Sequence, residues 1–460
     1  MLQTQKTPLA SQLQDLLAGP AEPDRPFILA GPSYLEVYAI AAKLQQQDFF
    51  QDTAESICIC SHDRAVLAAA ILAALTRPIT LLLPHSFSPS VLAGMHELQP
   101  FSRAIVQQGT KLPPGVQPIL AQKQDSSPPG LEQAPLRFLD SELVKLFTGG
   151  SSQAPRIWSK TIRNLFSEAS YQAASLGISP RDRVVSTAPA NHIYGLLFSV
   201  LVPFVASASV VAGTPTYPHE IQDLIRQHQA SLLVSTPLHY RMLANIDFNA
   251  QPLAWALCSA ARLDPADSKA FYHQTGLGIT EIFGSTETGG IASRTCRDIQ
   301  PGFRPFDCIQ WKIVEDLLAI RSDFLSPELP VDCAGYFITQ DRINAVSPEE
   351  LELLGRADHI VKVGGKRVDL DEIRSILTSL PQVQDAAVLC IPDQSGRSNE
   401  IQALVAANTT SQAIRRHLQH RLQSSAVPRK IKVVDKIPVS EAGKYQRNAI
   451  QEMLQTDSDS

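Results

Sequence analysis

No Cys-x-x-Cys pair occurs among the seven cysteines, and their number is odd. That argues against a disulfide framework or a zinc site and for free thiols in a reducing cytoplasm. Basic charge is not in excess either: Lys and Arg total 40 against 45 Asp and Glu, a formal net charge of −5. A nucleic-acid partner held mainly by charge is therefore not expected. Long hydrophobic runs are missing. The longest, Ala65–Leu75, falls short of the roughly 20 residues that a membrane helix needs and ends in Thr-Arg-Pro. It reads as a buried helix. The opening MLQTQKTPLASQLQDLL has no continuous apolar core after a basic start, so no signal peptide is expected. No internal repeat is present. These absences point to a cytoplasmic globular protein with no stable membrane span.

What is there fits that class. Hydrophobic residues make up 44% and charged residues 18%, ordinary for a globular chain. A chain of 460 residues exceeds what one core organises, so at least two domains are expected. Apolar strand-like runs alternate with helical stretches: Ser56–Cys60, the Ala-rich helix and Pro78–Pro84; Asp182–Pro189, a helix through Phe198–Phe204 and Ala208–Gly213; then Ser231–Pro237 and Leu253–Ala261. Repeated βα units imply an α/β fold with mixed or parallel sheets and flanking helices. Thr110–Gly130, rich in Pro, Ser and Gln, reads as a surface linker. From about Leu351 the texture changes to a compact α+β pattern. The boundary is placed at Leu354–Arg356, giving domains 1–354 and 355–460.

Several segments carry chemistry. LFTGGSSQAPR (Leu146–Arg156) is a strand running into a Gly-Ser loop, which offers backbone N–H groups and hydroxyls to phosphate oxygens. No Gly-Lys-Ser/Thr follows, so it is not a Walker loop. FGSTE (Phe283–Glu287) places a hydroxyl beside a carboxylate. PANHIYGL (Pro189–Leu196) sets His192 among apolar residues. GYFITQDR (Gly335–Arg342) carries Asp341 next to its end. GRADHIVKVGG (Gly355–Gly365) and PVSEAGKYQR (Pro438–Arg447) close the series. The pair His417-x-x-His420 lies in a basic helix and reads as a solvated face.

Together with PSYLEV (Pro32–Val37), these segments resemble, in order and over nearly the whole chain, the adenylate-forming superfamily. Its members are acyl- and aryl-CoA synthetases, acyl-carrier-protein ligases and adenylation domains. The resemblance implies a large N-terminal AMP-binding domain and a small mobile α+β domain that rotates between two half-reactions. It implies ATP and Mg2+ as cofactors, a carboxylic acid substrate, and a phosphopantetheine thiol, of free coenzyme A or a carrier protein, as acceptor. By the same resemblance, Thr148, Gly150, Ser151, Ser152 and Arg156 contact phosphates. Phe283, Gly284 and Ser285 border the nucleotide, Thr286 bonds the α-phosphate and Glu287 holds Mg2+. Asp341 contacts the ribose, Arg356 the same ribose or the phosphate, Asp358 is the hinge, and Gly364 and Gly365 line the pantetheine tunnel. His192, Tyr194 and Gly195 border the acid, and Lys444 bridges the carboxylate and the α-phosphate. Gln153, Arg156 and Gln340 depart from the superfamily's Gly, Lys and Gly.

No aspartate stands in the Ser186–Leu197 segment to pair with an amine, so a simple carboxylic acid is expected rather than an amino acid. Short ligases of this kind resemble those of aryl polyene pathways, which favours an aromatic acid and an acyl carrier protein. Two alternatives stand beside that reading: a synthetase using free coenzyme A, and a catalytically weak nucleotide-binding scaffold.

Overall fold

The computed structural model describes residues 8–47, 56–107, 109–120, 135–148, 156–249, 252–363, 366–392, 399–439 and 445–456. The chain forms two compact units. One comprises 1–150, 154–309 and 321–330; the other comprises 151–153, 310–320 and 331–460. The boundary expected at Leu354–Arg356 falls within the strand Glu350–Arg356 of the second unit.

The first unit is α/β, as the alternating pattern requires. Its larger sheet runs in the order Ile28–Leu29, Ser209–Val211, Arg183–Ser186, Leu232–Ser235, Trp255–Cys258, Ile279–Ser285, Gly289–Cys296 and Arg304–Pro305. The first six strands are mutually parallel; Gly289–Cys296 runs antiparallel to them, and Arg304–Pro305 antiparallel to Gly289–Cys296. Buried strands such as LLVS and WALC carry apolar residues on both faces because both faces are covered.

A second sheet orders Gln117–Leu120, Arg103–Val106, Ser56–Cys60, Thr80–Leu83, Glu142–Thr148 and Arg156–Thr161. The Ala-rich run forms the helix Arg64–Ala74, capped by Asp63 and buried on every side. Cys58 and Cys60 are fully buried, and all seven cysteines are free thiols. The expected linker Thr110–Gly130 is corrected in part. It contains the edge strand Gln117–Leu120, parallel to Arg103–Val106. Pro118 is tolerated there because an edge strand leaves one row of backbone groups without a ladder partner. Residues 121–134 lie outside the described set.

The second unit begins with a four-stranded sheet, Gln310–Val314, Leu317–Arg321, Phe337–Ser347 and Glu350–Arg356. A hairpin of Ile360–Val363 and Lys366–Asp369 follows. Asp369 then caps the helix Leu370–Thr378, with Asp371 and Glu372 in its first turn. These acids complement the positive end of the helix dipole. Val383–Pro392, Asn399–Ala407 and Lys430–Val434 form a three-stranded sheet. The helices Leu370–Thr378 and Ser411–Arg421 pack into one apolar cluster of this unit, and Arg447–Gln455 into another.

Candidate active site

Parallel strands end on the same side of their sheet. Arg183–Ser186, Leu232–Ser235, Trp255–Cys258 and Ile279–Ser285 are parallel neighbours, so the segments after them emerge at one edge. Those segments hold Pro189–Gly195, Thr236, Ser259–Ala261 and Ser285–Thr288. The carboxyl edge of a parallel sheet is where such folds bind ligands.

The Phe283–Glu287 segment is fixed by its own turn. The Ser285 N–H donates to Thr288 Oγ1 at 3.0 Å, and the Thr288 N–H donates back to Ser285 Oγ at 3.3 Å. Thr286 is buried and Glu287 half-buried. Gly284 admits no side chain, since a Cβ there would lie 2.3 Å from the Gly289 carbonyl oxygen. The Phe283 ring packs 5.6 Å from that of Phe303. A magnesium ion is held by one or two carboxylates plus phosphate oxygens and water. Glu287 in this turn, beside Thr286, fits that donor set. Among the described residues no group of three His, Cys, Asp or Glu forms a self-sufficient metal cage, and this mode of binding needs none.

Sequence reasoning missed what holds the turn from below. Lys160, 1% exposed, donates from Nζ to the backbone carbonyls of Glu287 at 3.1 Å and Phe324 at 2.8 Å. Burial pulls its pKa down to about 8, opposed by the charges of Glu168, Glu287 and Glu328. Glu168 is also buried and accepts the Gly290 N–H at 2.7 Å. Burial raises its pKa, against the pull of Lys160 and the Gly290 amide. No local motif marks Lys160 or Glu168 in the sequence. Ala260 was missed as well. It has φ +78° just beyond Trp255–Cys258, a conformation that costs a non-glycine residue energy.

His192 leads into the helical turn Ile193–Leu196. The turn packs so closely that a Cβ on Gly195 would sit 2.0 Å from the Pro189 carbonyl oxygen. Tyr194 is packed 5.4 Å from Phe198, ring centre to ring centre. Burial raises its hydroxyl pKa well above the usual range, with Cys258 adding to the rise and the Ser235 amide opposing it. Nearby, Thr187 Oγ1 lies 2.8 Å from Ser235 Oγ and 3.1 Å from His239 Nδ1. Thr236 Oγ1 is 3.0 Å from the same nitrogen. Burial lowers the His239 pKa to about 4.

Of the expected phosphate loop, Thr148 and Arg156 are cross-strand partners closing a hairpin, and Thr148 Oγ1 donates to the Arg156 carbonyl at 3.3 Å. Gly150, Ser151, Ser152 and Gln153 lie outside the described residues.

In the second unit the structure brings three expected residues together. Asp341 and Arg356 are cross-strand partners, with Arg356 Nη1 3.5 Å from Asp341 Oδ1. Arg356 also grips Asp358 with two bonds of 2.8 Å. Burial works against ionisation of Asp358, but Arg356 and His359 together hold its carboxyl below the usual range. Gln340 is exposed. Gly364, Gly365 and Lys444 lie outside the described residues. The chain on either side of 440–444 is tied: Val439 bridges Tyr445, and the Gln446 N–H donates to the Pro438 carbonyl at 3.1 Å. The Tyr445 hydroxyl bonds Asp385 at 2.5 Å and receives a 2.8 Å bond from Arg374.

Known proteins share this organisation. O-succinylbenzoate coenzyme A synthetase from Bacillus subtilis, in complex with ATP and magnesium ion, has the same fold with a TM-score of 0.80 at 17% identity, covering 96% of this chain and 99% of that one. An anthranilate CoA ligase in complex with anthranoyl-AMP superposes with a TM-score of 0.75 at 17% identity, covering 97% of each chain. Among curated proteins, sulfoacetate–CoA ligase of Cupriavidus necator is 25% identical over 67% of this chain and 66% of its own length. The 4-coumarate–CoA ligase of Cereibacter sphaeroides is 30% identical over 52% of this chain and 55% of its own length. These alignments thus span between about half and two thirds of the relatives. The AMP-binding enzyme family model matches residues 52–320, and the AMP-binding enzyme C-terminal domain matches residues 372–444. With the first match extending over more than half of its residues, the chain belongs to the AMP-binding enzyme family.

Proposed function

We propose that the protein is an ATP-dependent acid–thiol ligase. In the first step a carboxylate oxygen attacks the α-phosphorus of ATP, forming an acyl- or aryl-adenylate and releasing pyrophosphate. In the second, a phosphopantetheine thiol attacks the acyl carbon and AMP leaves. The observation that carries this reading is the closed Ser285–Thr288 turn at the carboxyl edge of the parallel sheet, with Thr286 and Glu287 at its tip. A hydroxyl donor there would stabilise the charge that develops on the α-phosphate oxygens. Magnesium, held by Glu287 and the nucleotide, would neutralise phosphate charge. Gly150, Ser151, Ser152 and Arg156 would cradle the phosphates, and Phe283 with Gly284 and Ser285 would border the base. Asp341 would accept the ribose hydroxyls, with Arg356 beside it. Lys444 would join the carboxylate to the α-phosphate in the first step only. Residues 355–460 would then rotate about Asp358 and bring Gly364 and Gly365 to the thiol.

The acid we propose is aromatic, bordered by His192, Tyr194 and Gly195. 4-Coumarate in one relative and anthranoyl-AMP in one structural neighbour support that choice. The acceptor we propose is a carrier-protein phosphopantetheine, as in the ligases of aryl polyene pathways, and the setting is the cytoplasm. Among the described residues no helix is long and apolar enough to cross a membrane. Free coenzyme A is the second reading, favoured by relatives that are named CoA ligases. Thioester formation with free coenzyme A and with a holo carrier protein, compared at equal thiol concentration, tests the choice. Faster turnover of coenzyme A would overturn the carrier-protein assignment.

A further inference from the structure

A lysine buried to 1% exposure is unusual in any fold. Here it lies under a turn that the proposed chemistry uses. The Lys160 ammonium donates to the Glu287 carbonyl, which also receives the Ser326 N–H at 2.8 Å. Its second bond, to Phe324, ties the turn to the segment 321–330. On the other side Glu168 holds Gly290, three residues after Glu287. The carboxylate comes so close that a Cβ on Gly289 would lie 2.6 Å from Glu168 Oε2, and one on Gly290 3.0 Å from Oε1. Gly289 has φ +67° as well. Two successive glycines therefore admit a buried acid against the backbone.

The helix Ile162–Leu176 supplies that acid as part of a buried polar stripe. Asn164, Glu168 and Gln172, spaced by four, lie on one face. Asn164 Nδ2 donates to the Asp323 carbonyl at 2.6 Å. A helix meant only to fill a core would carry apolar residues at these positions. Replacing buried charges by apolar groups of similar volume is often neutral or stabilising, so stability alone gives little reason for this arrangement.

We infer that Lys160 and Glu168 are positioning residues for adenylation: together they fix the backbone on both sides of Glu287 and so aim its carboxylate and the Thr286 hydroxyl at the nucleotide. The inference rests on the ligase reading above. Neither residue touches a substrate; both act through the turn. Groups that orient a metal ligand typically change metal affinity or activity by about 10- to 100-fold when removed.

The test uses the full chain and three variants: Lys160→Met, Glu168→Gln, and the two combined. Lys160→Met leaves Glu168 buried without its cation and is the variant at risk of not folding. The combined variant leaves neither charge, and Glu168→Gln alone is the milder change. Near-ultraviolet circular dichroism reports folding. Calorimetric titration with ATP, with and without Mg2+, reports metal-dependent nucleotide binding. Acid-dependent pyrophosphate exchange, titrated with Mg2+, reports adenylation. For folded combined variant the expected result is a loss of about 10-fold or more in the Mg2+-dependent gain in ATP affinity. Half-maximal exchange should need correspondingly more Mg2+, with the acid KM little changed. A combined variant that folds and keeps the wild-type Mg2+ dependence in both assays would overturn the inference. Wild-type protein that binds Mg2+ and ATP but exchanges with no acid would instead overturn the ligase reading, and calorimetry would still judge the turn.

Discussion

Gly284→Ala puts a methyl group where the fold has no room. The new Cβ would lie 2.3 Å from the Gly289 carbonyl oxygen and 2.8 Å from Gly290 Cα. Both are backbone atoms, in the adjoining antiparallel strand where the register already shifts between Phe283 and Gly284. No side chain can rotate away, so the strands must separate. Overpacking of a tight site costs about 1–3 kcal/mol, occasionally more. Rigid neighbours place this case at about 3 kcal/mol or above. The displaced segment is the Ser285–Thr288 turn itself, so activity should fall further than folding does. Chemical denaturation followed by tryptophan fluorescence reads stability, and pyrophosphate exchange on the folded fraction reads the site. An exchange loss of about 100-fold corresponds to nearly 3 kcal/mol in the barrier. Wild-type stability together with wild-type exchange would refute the argument that close strand approach shapes this site.

Three further outcomes are expected. Lys444→Ala should abolish adenylate formation yet largely spare thioester formation from a supplied acyl-adenylate; equal loss in both half-reactions of folded protein would refute a role confined to the first. Arg294→Met should destabilise the first unit by about 3–5 kcal/mol, because the Glu281 side chain, 6% exposed and 2.6 Å from Arg294, would lose its cation and retain only the Leu263 N–H as a partner; an unchanged denaturation midpoint would contradict this. Burial lowers the His239 pKa from 6.5 to about 4, so the unfolded chain binds a proton in that window and the folded chain does not. Stability should fall as pH drops from 6.5 to 4, by up to about 3 kcal/mol from this residue, and His239→Gln should flatten that part of the pH profile.

The fold was largely legible because the buried strands announce themselves by apolar runs. ICIC, LLV and WALC are continuous apolar runs that only a doubly covered sheet makes stable. Ser33 and Glu36 form a full capping box at the start of Tyr34–Gln45. The edge strand Gln117–Leu120 was not, because three of its four residues are exposed and carry no apolar alternation. The reacting turn could be read from Phe283–Glu287, where chemistry restricts residue type. Its support could not. Lys160 and Glu168 have no local motif, and only the packing of the helix Ile162–Leu176 over Gly289 and Gly290 makes them neighbours. Ala260 escaped for a similar reason, since a positive φ at alanine leaves no mark in composition.

The proposed reaction joins a carboxylic acid to AMP on this chain. Isotope exchange between pyrophosphate and ATP measures that step directly, without any assumption about the thiol. Across a panel of aromatic and aliphatic acids, the protein should show exchange that requires both acid and Mg2+, strongest with an aromatic acid, and Glu287→Gln should lose most of it while melting like wild type. Folded protein that binds ATP yet shows no acid-dependent exchange with any member of the panel would contradict the claim.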